Sequence, residues 1–299
     1  MCIFNLHNDM KAKSLLLSLM IISMGLAGCT SSETNESINS PDGDCWAILK
    51  TVYEWVTDDQ EMYDSHYMET NVTYDSECRL ILSEAYEPEY NNKWVDTYTY
   101  NDDGQVLSHT NAFYDMDDPT MPTYSTYSNN TYENGLLVST HVNSCDWCDG
   151  TDARDSWVNY TYDNENRIHT IQTSAIQPAN YLTTNTYDAD GNLVNELHER
   201  DGNMTMEVQY NYSNGVLVQS YSVTDYGSET VKNYTHDASG NEISVEYESG
   251  GHTIYENKTY DDLGNVIVET WQRVGEVTEY GWDPSMTTRT THTYGNPLS

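Results

Sequence analysis

The residues of this 299-residue sequence equipped to bind or react fall into two sets. One is cysteine: Cys29, Cys45, Cys78, Cys145 and Cys148, with Asp146 and Trp147 between the last two. The other is a series of close carboxylate pairs ahead of glycines: Asp102 and Asp103 before Gly104, Asp188 and Asp190 before Gly191, and Asp261 and Asp262 before Gly264. Carboxylates and turn carbonyls are the hard oxygen donors that calcium prefers, so Ca2+ is the metal this pattern admits. No loop has the EF-hand spacing, and aspartate in a turn is also explained by hydrogen bonding to its own backbone. No other cofactor is expected.

A Cys-x-x-Cys pair exchanges disulfides when positive charge or a helix N-terminus stabilises one thiolate. Asp146 and Asp149 flank these thiols and oppose that charge. His141, Cys145, Cys148 and Asp149 would ligate a transition metal only while reduced. In an exported chain the four cysteines after Cys29 favour two disulfides. Three pairings exist, and separation along the chain favours Cys45 with Cys78 and Cys145 with Cys148.

Export is written at the start. Lys11 and Lys13 precede an apolar run from Leu15 to Leu26, which closes on Leu26, Ala27, Gly28 and Cys29. This resembles a bacterial lipoprotein signal, with Met10 the better start. The resemblance implies residues 1–28 as a removed signal peptide and Cys29 as the acylated first residue, carrying palmitate-like chains. Two or three such chains suffice for stable anchoring. Thr30 stands where inner-membrane retention signals carry Asp, which implies the outer membrane. Residues 29–43 read as the lipidated cysteine and a flexible tether. No later stretch has the roughly 18 consecutive apolar residues of a spanning helix, so the body is expected to stand in water.

Charge narrows the partners. Against 12 Lys and Arg stand 48 Asp and Glu, a net charge of −36. Such a field repels phosphate backbones and excludes nucleic acid as a partner. It also makes the surface soluble.

The elements that must position these residues are announced by a recurring phrase. Tyr187-Asp188-Ala189-Asp190-Gly191-Asn192-Leu193 returns as Tyr260-Asp261-Asp262-Leu263-Gly264-Asn265-Val266, and related copies begin at Tyr74, Tyr100, Tyr132, Tyr162, Tyr212 and His236. Gly104, Gly191, Gly240 and Gly264 occupy a position that needs positive φ, and Asn166 tolerates it. Cys78 in the first copy points to a different turn. Shorter copies place Gly135 and Gly215 after Asn134 and Asn214, a tight-hairpin signal. Period-two runs such as Val158, Tyr160, Tyr162 and Val208, Tyr210, Tyr212 flank the turns. Second turns near Gly202, Gly227, Gly250 and Gly275 complete two strands per repeat. The expected fold is therefore all-β, an antiparallel meander of about eight repeated β-hairpin units in a twisted or curling sheet over residues 74–299.

These copies resemble the YD repeats of Rhs-type bacterial cell-surface proteins. The resemblance implies strand-turn-strand units in a curling sheet; a degenerate remnant lies at Tyr294, Gly295, Asn296. Residues 44–73, with Trp46, Ile48, Val52 and Trp55, are expected to cap the first hairpin and hide an open sheet edge. No nucleotide loop, His-Glu-x-x-His or Gly-x-Ser-x-Gly is present. The reading is a non-enzymatic, lipid-anchored envelope protein that binds glycan or protein, rigidified by calcium if the turns hold it. The alternative is a glycan-directed hydrolase using one carboxylate pair.

Overall fold

The computed structural model describes residues 47–56, 67–117, 119–146, 153–175, 180–249, 252–275 and 286–295. They form 18 strands: β1 (Ala47–Val56), β2 (Tyr67–Tyr74), β3 (Leu80–Glu87), β4 (Asn92–Tyr100), β5 (Val106–Asp115), β6 (Tyr124–Glu133), β7 (Leu136–Asp146), β8 (Ala153–Tyr162), β9 (Ile168–Ala175), β10 (Asn180–Tyr187), β11 (Leu193–Arg200), β12 (Asn203–Ser213), β13 (Val216–Thr224), β14 (Glu229–His236), β15 (Glu242–Ser249), β16 (His252–Tyr260), β17 (Val266–Val274) and β18 (Met286–Gly295). Each pairs antiparallel with its sequence neighbours, and β18 pairs with β1 from Ala47 opposite Gly295 to Val56 opposite Thr287. The sheet is a closed barrel.

This corrects the sequence expectation of an open meander and, with it, the resemblance to YD and Rhs-type repeats. The phrase marks hairpin turns of one barrel, not units of a curling repeat sheet. Residues 47–56 are also no cap over an edge, because β1 hydrogen-bonds to β18 on one side and β2 on the other. The reason lies in the bulges. In every phrase hairpin the register shifts at the tyrosine position, from Thr73/Tyr74 in the first to Thr235/His236 and Thr259/Tyr260 in the last two. A ninth shift, between Ile48 and Lys50, lies in the seam. A bulge bends its strand and raises local twist, and a bulge repeated at one level of every hairpin curves a sheet evenly until its ends meet.

The turns follow from the phrase. In the six longer copies a five-residue unit closes with two backbone bonds, as in Asp188 N–H to Asn192 O and Gly191 N–H to Asp188 O. The fourth residue of the unit takes positive φ: 79° at Gly104, 61° at Asn166 and 89° at Gly191. Cys78 adopts φ 63° with the same two hydrogen bonds, so its turn does not differ from the others as the sequence suggested. Asn134-Gly135 and Asn214-Gly215 carry positive φ at both residues, the mirror-image turn whose twist matches a hairpin.

The two faces of the wall differ. Along β14, Thr230, Lys232, Tyr234 and His236 are half-buried while Glu229 and Val231, Asn233 and Thr235 are exposed. Side chains on the concave side of a closed sheet converge and shield one another, so the tyrosine-bearing face is the lumen face. A barrel of 18 strands is too wide for side chains to fill, and no large side chain among the described residues is fully buried. Among the described residues the side chains leave the interior open.

Candidate functional site

The phrase turns gather at one rim of the barrel, and their chemistry is inward-looking. Asp188 Oδ1 accepts the backbone N–H groups of Asp190 at 2.9 Å and Asn192 at 2.8 Å, while Oδ2 accepts the Asn192 amide at 2.9 Å. Asp237 with Asn241 and Asp261 with Asn265 repeat the arrangement. Asp75 and Asp163 bind Arg79 and Arg167 instead, and each guanidinium also stacks on the next phrase's tyrosine, Tyr100 or Tyr187. The amide of the Asn192 side chain, then the backbone N–H donors, hold Asp188 below the ordinary aspartate range, and Asn241 does the same for Asp237. At Asp261 slight burial works against the shift, and the bonds from Asn265 and Leu263 outweigh it.

The predicted calcium donors are thereby dispersed. Asp188 and Asp261 are committed to their own turns; Asn101 plays that part in the third, leaving Asp102 and Asp103 exposed. Asp190 and Asp262 are exposed at the corners of separate turns. Among the described residues no group of three His, Cys, Asp or Glu is placed to hold a metal ion.

Cys29, Cys45 and Cys148 lie outside the described residues. The expected pairings of Cys45 with Cys78 and of Cys145 with Cys148 therefore each involve a residue outside them; Cys78 and Cys145 are themselves disulfide-bonded. His141, a candidate ligand beside Cys145, points elsewhere. Its Nε2 lies 2.9 Å from Asp155 and its ring stacks on Trp157 at 4.3 Å.

Inside the same rim runs a ladder that the spacing of the phrases does not reveal. The hydroxyls of Tyr74, Tyr100, Tyr132, Tyr162, Tyr187, Tyr212, Tyr260 and Tyr294 donate to the carbonyls of Ile48, Leu80, Val106, Leu137, Ile168, Leu193, Glu242 and Val266, at 2.6 to 3.0 Å. Each acceptor is the residue paired with the preceding phrase's aromatic position: Leu80 pairs with Tyr74, Val106 with Tyr100, and Ile48 with Tyr294. The chain of bonds runs around the rim and is interrupted where His236 replaces tyrosine. Tyr294, read from sequence as a degenerate remnant, is the ninth step.

Further along the lumen face the wall is polar. Asp96 Oδ1 accepts from His109 Nε2 at 2.8 Å and Asn111 Nδ2 at 2.9 Å, with His109 stacked on Tyr98. His109 and Asn111 are each 8% exposed. Tyr210 donates to Glu196, Lys258 meets Glu242 at 3.0 Å, and burial followed by the Glu256 charge pushes Tyr247 up to about 12. Asp155, His141 and Asn143 form a similar triad on the opposite, outward face. The recurring His-x-Asn at 109–111 and 141–143 was the available sequence signal. Nothing in it tells which face each copy takes, because that depends on the bulges. Neither triad has a nucleophile at its histidine.

No family model matches the chain, and no curated protein matches it. Among solved structures it is similar to a porin-like protein from Bacteroides uniformis ATCC 8492, at 13% identity and a TM-score of 0.48, over 83% of this chain and 96% of that one.

Proposed function

We propose that the chain is a lipid-anchored protein of a bacterial outer membrane, held by acylated Cys29 after loss of residues 1–28, with residues 30–43 as tether. The barrel stands in water and serves as a binding module. The observation that carries this reading is the outward face. On strand after strand it presents Thr97 and Thr99, Asn159 and Thr161, Gln209 and Asn211, or Asn233 and Thr235, all exposed. A barrel that crosses a bilayer needs an outward apolar band about 25 Å tall, and charged residues on a lipid face cost roughly 2–4 kcal/mol each at the midplane. Asp188, Asp237 and Asp261 are held in turn hydrogen bonds, and Asp102, Asp103, Asp190 and Asp262 stand exposed at the corners of separate turns, which supports binding over hydrolysis. For the same reason calcium is not part of the proposal.

The test has two arms. Wild-type chain should incorporate labelled palmitate and fractionate with outer membranes, and Cys29→Ser should do neither. The Cys29→Ser protein should remain monodisperse without detergent. If it aggregates until detergent is added, the barrel spans the membrane and the tethered reading falls.

A further inference from the structure

At the rim opposite the phrase turns, a cavity of about 430 Å³ opens between β10, β11, β12 and the β13–β14 turn. We infer that this pocket is a carbohydrate-binding site that takes a neutral mono- or disaccharide. The inference deepens the binding-module reading by giving it a place and a ligand class.

The pocket is built, not incidental. A register shift between His198 and Glu199 bulges β12 at Thr205. Thr205 Oγ1 donates to the His198 carbonyl at 3.1 Å, and the Thr205 carbonyl accepts the Asp225 N–H at 3.0 Å. The bulge thereby ties the next turn across β12 and β13. That turn is itself closed by Thr224 N–H to Ser228 O, Gly227 N–H to Thr224 O and Ser228 N–H to Thr224 Oγ1, with Gly227 at φ 74°. Bulges beside a concavity re-aim side chains, and barrel mouths are a preferred place for small-ligand sites of roughly 300–1,000 Å³.

What this frame holds up is Tyr226, 93% exposed at the apex of a turn fixed on all sides. A rigid tyrosine offered to solvent contributes nothing to the barrel and suits a partner with an apolar face and a polar edge. Tyr181, 45% exposed, supplies a second ring across the pocket, steadied by Arg200 over its face.

The polar groups choose the ligand. Glu199 and Asp225 are among the residues that line the cavity. His198, which also lines the cavity, shares Nδ1 with Thr183 at 3.1 Å. Two carboxylates in a chain of net charge −36 repel anions. The nearby Arg200 guanidinium offsets the attraction for cations. A ligand that is uncharged, rich in hydroxyl donors for the carboxylates, and faced with C–H groups for the tyrosine rings is a sugar.

The experiment is calorimetric titration of the full chain with cellobiose, maltose, laminaribiose and N,N′-diacetylchitobiose, with digalacturonate as the anionic comparison. Saturable binding of at least one neutral disaccharide and none of digalacturonate is expected. Tyr226→Ala should weaken that binding at least about tenfold, with an unchanged melting curve, and Trp157→Ala on the outward face should leave it intact. No binding across the neutral panel overturns the inference. Binding abolished by Trp157→Ala but untouched by Tyr226→Ala and Asp225→Asn overturns the pocket assignment while leaving the binding-module reading standing. That reading fails separately, through the detergent requirement of the unlipidated protein.

Discussion

The Tyr74 hydroxyl donates to the Ile48 carbonyl at 3.0 Å, and Ile48 is the residue paired with Tyr294 in the last strand. One hydrogen bond thus links the first phrase to the seam where the two ends of the sheet meet. It repeats the relationship found at every other occupied step of the ladder, so the seam is built like the rest of the wall.

The ladder predicts a gain where its tyrosine is missing. His236 pairs at Glu242, one step after the Tyr212–Leu217 pair. His236→Tyr would direct a hydroxyl to the Leu217 carbonyl and should stabilise the barrel by about 1 kcal/mol, the net worth of one such bond. Tyr187→Phe, which removes the 2.8 Å bond to Ile168, should cost a similar amount. Chemical denaturation of both variants checks the pair; equal midpoints for His236→Tyr and wild type would count against the ladder.

Gly240 has φ 91° and nothing within 4 Å of where a Cβ would sit. The penalty of Gly240→Ala is therefore purely conformational, about 1–2 kcal/mol. Gly240→Asn should cost less, because Asn tolerates this region, as it does at Asn166. Melting temperatures in the order Gly, Asn, Ala are the expected result.

The turn aspartates give the barrel an acid limit. Asp75, Asp163, Asp188, Asp237 and Asp261 all sit below the ordinary value of 3.8 in the folded state. A carboxylate with a depressed folded value contributes its full stability above the unfolded value and loses it as pH falls through the folded one. Stability should therefore be flat from neutrality down to about pH 4 as far as these groups are concerned and fall below it. Asp188→Asn combined with Asp237→Asn should make that fall shallower, as followed by urea midpoints between pH 5 and 2.

Asp96 satisfies two buried partners at once. Asp96→Leu leaves His109 and Asn111 without an acceptor there and should destabilise by about 1–3 kcal/mol. The variant Asp155→Leu removes the matching bonds on the outward, water-exposed face and should cost less. Near-equal losses would mean that the Asp96 triad is as solvated as its counterpart.

The repeated phrase made the local structure legible. Asp188 and Gly191 specify a turn because a short carboxylate captures two N–H groups and only a residue free of Cβ clash accepts the φ; Val208, Tyr210 and Tyr212 specify a strand because their period is two. These are interactions within about seven residues, and they are the same in an open meander and in a closed barrel. The two triads were only half legible: His109 and His141 stand out by type, but the face each takes is set by the bulges of neighbouring strands. The mouth pocket was not legible at all, because Tyr181, His198 and Tyr226 meet through one bulge and one turn bond.

By itself the sequence determined the acidic charge, the β class and the place of each phrase turn. Tertiary structure decided that Ala47–Val56 and Met286–Gly295 pair with each other, some 240 residues apart in the chain. That pairing depends on curvature summed over ten bulges among the described residues, and no local window contains a sum.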